Sequence, residues 1–186
     1  LPIDPVTEKV SFVGPRLEGR FKWYGGVVQD GAIYCVPHNS AHVLRIGSGA
    51  NVTLHGDFGP GDRKWHGAAA TPDGSIVCVP ANANTILVIT PGDPKPVLLK
   101  LGAATEIRAG RHRNDGDYNY LGGLAGPDGK VYCFSSASEE VLQVDTQKMT
   151  VRNVGPNIYD ESLERLCQNK WQNGVTSPID KCVYAI

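Results

Sequence analysis

No run of apolar residues approaches the ~20 that a membrane-crossing helix needs, so the chain is not expected to span a membrane. It has no excess of charge of either sign: 18 Lys and Arg stand against 19 Asp and Glu, a net charge of −1. That balance gives no general attraction to nucleic acid, and no nucleic-acid partner is expected. Cysteine is sparse and odd in number, and the five residues lack Cys-x-x-Cys spacing. This argues against a zinc site and against a disulfide framework. A reducing intracellular compartment is the simplest expectation, and the lone sequon Asn51-Val52-Thr53 does not outweigh it. Catalytic signatures are missing too: there is no P-loop, no Gly-x-Ser-x-Gly, no His-Glu-x-x-His and no Rossmann fingerprint. An initiator Met is absent, and Leu1-Pro2-Ile3-Asp4 reads as structure rather than as a signal peptide. The expectation is a processed chain or part of a longer one.

What is present is a repeat. Trp23-Tyr24-Gly25-Gly26, Trp65-His66-Gly67-Ala68, Tyr120-Leu121-Gly122-Gly123 and Trp171-Gln172-Asn173-Gly174 share one pattern. Each is an aromatic residue, a variable one, then two mostly small ones, preceded by Lys22, Lys64, Asn119 or Lys170. Turn dipeptides follow at Asp30-Gly31, Asp73-Gly74 and Asp128-Gly129. They lead into Ile33-Tyr34-Cys35-Val36, Ile76-Val77-Cys78-Val79 and Val131-Tyr132-Cys133-Phe134. A third apolar run starts at Val43, Ile86 and Val141, at the same distance from each cysteine, and a weaker fourth follows. Four short strands in roughly 40–55 residues make one propeller blade. The small residues of the first strand mark close approach of other backbone near a central channel. Trp23, Trp65 and Trp171 are expected to pack between blades.

Both ends fall inside a blade. Leu1–Pro15 matches Leu142–Pro156 without a gap, so the chain opens on third and fourth strands. It closes on Val183–Ile186, a second strand. The predicted fold is therefore all-β, with blades of four antiparallel strands: three full blades and two half-blades. The expected boundaries are a half-blade at 1–22, blades at 23–64, 65–119 and 120–170, and a half-blade at 171–186. A closed four-bladed ring and a part of a larger propeller both fit.

The repeat Lys-Trp-x-Gly-Gly … Asp-Gly-x-Ile-Tyr-Cys-Val-Pro … Val-Leu-x-Ile resembles tandem propeller repeats of algae and other protists that mostly lack an assigned role. It is similar, more distantly, to YVTN/NHL-type and gluconolactonase-like propellers. Resemblance to the last group implies a channel metal held by a Glu, Asn and Asp set. Asn39 and Asn82 occupy equivalent loop positions, but the third unit has Ala137 there. The set is not complete on these loops, so neither a metal nor another cofactor is expected, and no catalytic residue is assigned.

Two interruptions break the repeat. Gly102–Tyr118 carries Arg108, Arg111, His112 and Arg113, a candidate partner-binding loop. Within it, Asn114-Asp115-Gly116-Asp117 lacks the twelve-residue calcium pattern. Tyr159–Asn169 suggests a short helix with an acidic start. His38, Asn39 and Asn82 are the candidate polar loop residues for a small ligand. His38 and His42 share a turn without metal-ligand spacing for a zincin. The first expectation is a non-catalytic interaction or scaffold module that binds other protein chains. The alternatives are a small-ligand or glycan-binding propeller and a metal-dependent lactonase-like hydrolase.

Overall fold

A computed structural model describes residues 1–107, 117–159 and 170–186. The first sheet contains β1 (Trp23–Gln29), β2 (Ala32–Pro37), β3 (Val43–Ile46) and β4 (Val52–His55). The second contains β5 (Trp65–Ala70), β6 (Ile76–Pro80), β7 (Ile86–Thr90) and β8 (Val97–Leu101). The third contains β9 (Tyr120–Ala125), β10 (Val131–Ser135), β11 (Val141–Asp145) and β12 (Thr150–Val154). Each is an antiparallel meander in chain order. A two-stranded hairpin, β13 (Gly174–Thr176) and β14 (Val183–Ala185), follows. The strands β1, β5, β9 and β13 lie side by side, which makes them the inner strands of successive blades. No helix among the described residues is long and apolar enough to cross a membrane.

One register recurs. Cys35 pairs with Leu44, Cys78 with Leu87 and Cys133 with Leu142. The constant spacing from cysteine to third strand encodes this register, because a one-residue slip would turn every side chain to the other face. The β13–β14 hairpin continues the pattern, with Gly174 opposite Ala185 as Gly26 is opposite Cys35. At the other end Ile3 bridges Val10, the position of the Val144–Val151 pair. Asp4 accepts the amides of Val6 and Thr7 there, as Asp145 accepts those of Gln147 and Lys148. The same turn chemistry therefore forms on both matched segments.

The motif aromatic anchors each blade. Trp23 Nε1 donates to the His42 carbonyl at 2.9 Å, and Trp65 Nε1 donates to Thr85 at 2.8 Å. Both carbonyls end the loop that enters the third strand. Tyr120 is shorter, and Ser138 bridges the gap: its Oγ lies 2.8 Å from the Tyr120 hydroxyl and 3.3 Å from the Glu140 carbonyl. The residue before each aromatic contributes its backbone. The carbonyls of Lys22, Lys64 and Asn119 accept the amides of His38, Ala81 and Ser136, which sit just beyond the second strand. Trp171 is half-buried and precedes β13 outside any strand.

Small residues after the aromatic serve a bulge. Pairing of β1 with β2 shifts between Trp23 and Gly26, and pairing of β5 with β6 shifts between Trp65 and Ala68. Gly25 and Gly67 take φ of +74° and +76° at these shifts, a region costly for L side chains. In β9 the reason is space instead, since a Cβ on Gly122 would sit on the backbone carbonyl of Gln172.

The core lies between sheets. Tyr34, Val36 and Val43 of the first blade pack with Trp65, Ile76, Cys78, Leu87 and Ile89 of the second. The opposite face of the second blade, Val77, Val79, Ile86 and Val88, packs with Tyr120, Val131, Cys133, Leu142 and Val144 of the third. The middle blade is thus buried on both faces, which explains its nearly continuous apolar strands. Cys35, Cys78, Cys133 and Cys182 are all free thiols.

Candidate functional site

The first residue after each motif aromatic is the position of the motif that varies most, Tyr, His, Leu and Gln in turn. These residues, Tyr24, His66, Leu121 and Gln172, line a groove along the inner strands, and the first three sit at the register shifts of β1, β5 and β9. Gly25, Gly67, Gly122, Gly123, Asn173 and Gly174 also line it. The groove has a volume of 280 Å³, near the lower end of what small-molecule sites offer.

Tyr24 and His66 stack across the boundary between the first two blades, with ring centroids 3.6 Å apart and planes 25° from parallel. His38 stands behind them. Its ring meets His66 edge-on at 5.8 Å and lies 5.7 Å from Tyr24. Both imidazoles are tied by Nδ1. His38 Nδ1 is 3.0 Å from the Trp65 carbonyl, and His66 Nδ1 is 2.7 Å from the Leu121 carbonyl. A carbonyl only accepts, so each Nδ1 carries the proton and donates. In the neutral ring this leaves Nε2 as an unprotonated acceptor.

The neutral form is favoured by the surroundings. Burial lowers the affinity of His38 for a second proton; the Trp65 carbonyl partly offsets this, and Arg63 and Lys64 add to the lowering. Burial likewise lowers His66, the Leu121 carbonyl offsets part of it, and neighbouring His38 lowers it further. The pair therefore presents lone pairs rather than positive charge at neutral pH. Among the described residues no three His, Cys, Asp or Glu come together as a metal-binding group.

Of the residues singled out from sequence, His38 belongs to this cluster. Asn39 and Asn82 are brought together elsewhere, in an open polar hollow of 550 Å³ that also contains Gly61, Asp62, Arg63 and Asp117. Their side chains are engaged as fasteners. Asn39 Oδ1 accepts the Arg63 amide at 3.0 Å, and Asn82 Oδ1 accepts the Tyr118 amide at 2.8 Å. Each asparagine thereby holds the segment that enters the next blade. Arg63 Nη1 stands 3.9 Å from Asp117 Oδ2 and its guanidinium lies over the Tyr118 ring. Arg108, Arg111, His112 and Arg113 lie outside the described residues, as does the expected short helix beyond Tyr159.

Tyr24 and His66 are not singled out by motif spacing. The signal for them is the variable slot itself: a repeat that keeps an aromatic and two mostly small residues for the fold leaves the remaining position to face the groove.

No protein-family model matches the chain, and no curated protein matches it in sequence. Solved structures do match. Virginiamycin B lyase from Staphylococcus aureus is 14% identical with a TM-score of 0.56, over 76% of this chain and 45% of that one. A 6-phosphogluconolactonase-like protein from Bacteroides uniformis is 12% identical with a TM-score of 0.62, over 99% of this chain and 55% of that one. An auxiliary nutrient-binding protein from Bacteroides thetaiotaomicron is 14% identical with a TM-score of 0.54, over 88% of this chain and 35% of that one. The chain thus spans about half, or less, of the length of the structures it matches. At such identities the likeness is one of fold, and the fold is propeller-like: all-β, built of four-stranded antiparallel blades.

Proposed function

We propose that the chain is a non-catalytic propeller module whose inner-strand groove binds a small, uncharged, planar molecule. The observation that carries this is the Tyr24–His66 stack, with Nδ1 of His66 held by Leu121 and Nε2 left to accept. A flat ligand can extend the stack, as aromatic rings do at offset or edge contacts. A ligand N–H can donate to His66 Nε2, and the Gln172 and Asn173 side chains along the groove can meet its polar edge. Neutral imidazoles avoid attracting anions, which separates this site from a phosphate or carboxylate cradle. One structural neighbour is described as an auxiliary nutrient-binding protein.

The test uses the 186-residue protein and ligand-observed NMR with uncharged planar N–H probes: indole, benzimidazole and uracil. At least one is expected to bind, with binding abolished in His66→Ala and weakened in Tyr24→Leu. Binding unaffected by both substitutions, or confined to anionic probes, would refute the assignment.

A further inference from the structure

The two imidazoles at the boundary of the first and second blades are tied to the backbone of the following inner strands. His38 lies just beyond β2, and its Nδ1 donates to the carbonyl of Trp65, the residue before His66. His66 lies on β5, and its Nδ1 donates to the Leu121 carbonyl on β9. Both bonds run between complete blades, and they keep the two rings edge-on with centroids 5.8 Å apart. Neither bond is lost when a ring takes a second proton, because Nδ1 donates in the neutral and in the charged form. The second proton goes to Nε2. On His66 that is the atom left to accept from a ligand, so a proton and a ligand N–H compete for one lone pair.

The surroundings of the pair decide how that competition runs. His66 has the Tyr24 ring of β1 stacked on it, the His38 ring at its edge and the Leu121 carbonyl of β9 on its Nδ1. The groove beside it adds the neutral amides Gln172 and Asn173. Arg63 and Lys64, from the segment that enters β5, act on His38. The carboxylates of that region are engaged with those two cations: Asp117 stands 3.9 Å from Arg63, and Asp62 acts on Lys64. Among the described residues, the charges acting directly on the pair are therefore positive. An imidazolium on one ring also faces the other ring, like charge against like. The two rings take up protons in two linked steps rather than independently.

Resting on the reading that the groove binds an N–H donor, we propose that it is a proton-linked site: it holds its ligand while Nε2 of His66 is bare and releases it on acidification, and His38 is the positioning residue that sets the pH of release. His38 is only 7% exposed and does not line the groove, so it acts through His66. Above the His66 midpoint Nε2 is unprotonated, and affinity does not depend on pH. Below the midpoint each ligand displaces one proton, and affinity falls about tenfold per pH unit. Burial and the neighbouring His38 hold that midpoint below 6.5, so the groove is loaded at neutral pH and empties in acid. By reciprocity, bound ligand lowers the His66 midpoint.

The experiment uses the 186-residue protein with uracil and indole, whose own charge is constant between pH 4 and 8, and circular dichroism to define the range in which the chain stays folded. Affinity is expected to be level from pH 8 down to the His66 midpoint and to fall about tenfold per unit below it. In ¹H–¹⁵N spectra, saturating probe is expected to move the His66 midpoint to lower pH. His38→Gln keeps a donor for the Trp65 carbonyl and removes the second imidazole. It is expected to raise the His66 midpoint with or without probe, and to carry the acid limb of binding upward with it. Affinity that stays level below the midpoint, or a midpoint that ignores bound probe, would overturn the proton linkage and leave the groove reading standing. A His66 midpoint unmoved by His38→Gln would overturn the role given to His38. Failure of uracil and indole to bind would overturn the proposal, and failure of benzimidazole as well would overturn the groove reading beneath it.

Discussion

Trp65 is the residue whose removal the first interblade core should feel most. It is fully buried, packs with Val36, Val43, Ile76 and Leu87, and meets the Phe58 ring edge-on at 5.2 Å. Its indole N–H also holds the Thr85 carbonyl at 2.8 Å. Truncation to alanine removes the ring and leaves a cavity between two sheets that cannot both collapse into it. Such losses cost about 3–5 kcal/mol, against a total stability on the order of 5–15 kcal/mol. Trp65→Phe keeps part of the ring and loses the hydrogen bond, itself worth roughly 0.5–1.5 kcal/mol; with the smaller cavity, the expected loss is about 2 kcal/mol. Urea denaturation followed by circular dichroism measures both, read as a shift in midpoint at unchanged slope. Trp23 is only half-buried where Trp65 is fully buried, so Trp23→Ala should cost clearly less. A Trp65→Ala loss below about 1.5 kcal/mol, or one no larger than that of Trp23→Ala, would refute the assignment of this core.

Three further outcomes follow from the same geometry. Gly122→Ala should destabilise by roughly 1–3 kcal/mol, because its methyl meets the Gln172 backbone rather than a flexible side chain; a neutral result in a melting experiment would remove the close approach of the inner strands. Burial holds His38, His55 and His66 below the ordinary imidazole value of 6.5. Below that value the unfolded chain binds more protons than the folded one. Their contribution is therefore intact above pH 6.5 and lost as pH falls through the lowered folded values; a midpoint that rises on acidification from pH 7 to 5 would contradict this. Burial pushes the Cys133 thiol up to about 12 and Cys78 higher still, whereas Cys182 is exposed. A thiol-disulfide reagent at pH 8 should label Cys182 promptly, and Cys78 and Cys133 only on unfolding; prompt labelling of all the thiols would show that the core is open.

Much of the fold is legible in the sequence because strand register is. The fixed step from Cys35, Cys78 and Cys133 to the third strand is the Cys–Leu pairing itself. Identical dipeptides still hide different turns. Asp30-Gly31 has both residues at positive φ and closes a two-residue hairpin. Asp73-Gly74 and Asp128-Gly129 follow Pro72 and Pro127 in longer turns, in which only the glycine is left-handed. The site is harder to read. Asn39 and Asn82 stand out by their equivalence, yet in both blades the shared residue serves the fold, as a clasp on the segment that enters the next inner strand, and the third blade has Ala137 in its place. Tyr24 and His66 differ from blade to blade and meet only because the bulge at Gly25 and Gly67 turns them to the same side of neighbouring blades. The slot recurs in every repeat, but the contact depends on which side chains fill it, and that identity has no period in the sequence.

The chemistry of the groove rests on the neutral imidazole of His66, which lines it, backed by the buried His38, each with the proton on Nδ1. Long-range ¹H–¹⁵N correlation spectra of the 186-residue protein, recorded from pH 5 to 8 and assigned with His38→Gln and His66→Ala, read this state directly. For His38 and His66 the expected result at pH 7 is a protonated Nδ1, an unprotonated Nε2, and titration midpoints below 6.5. Protons on Nε2 of both rings, or midpoints above 6.5, would contradict it.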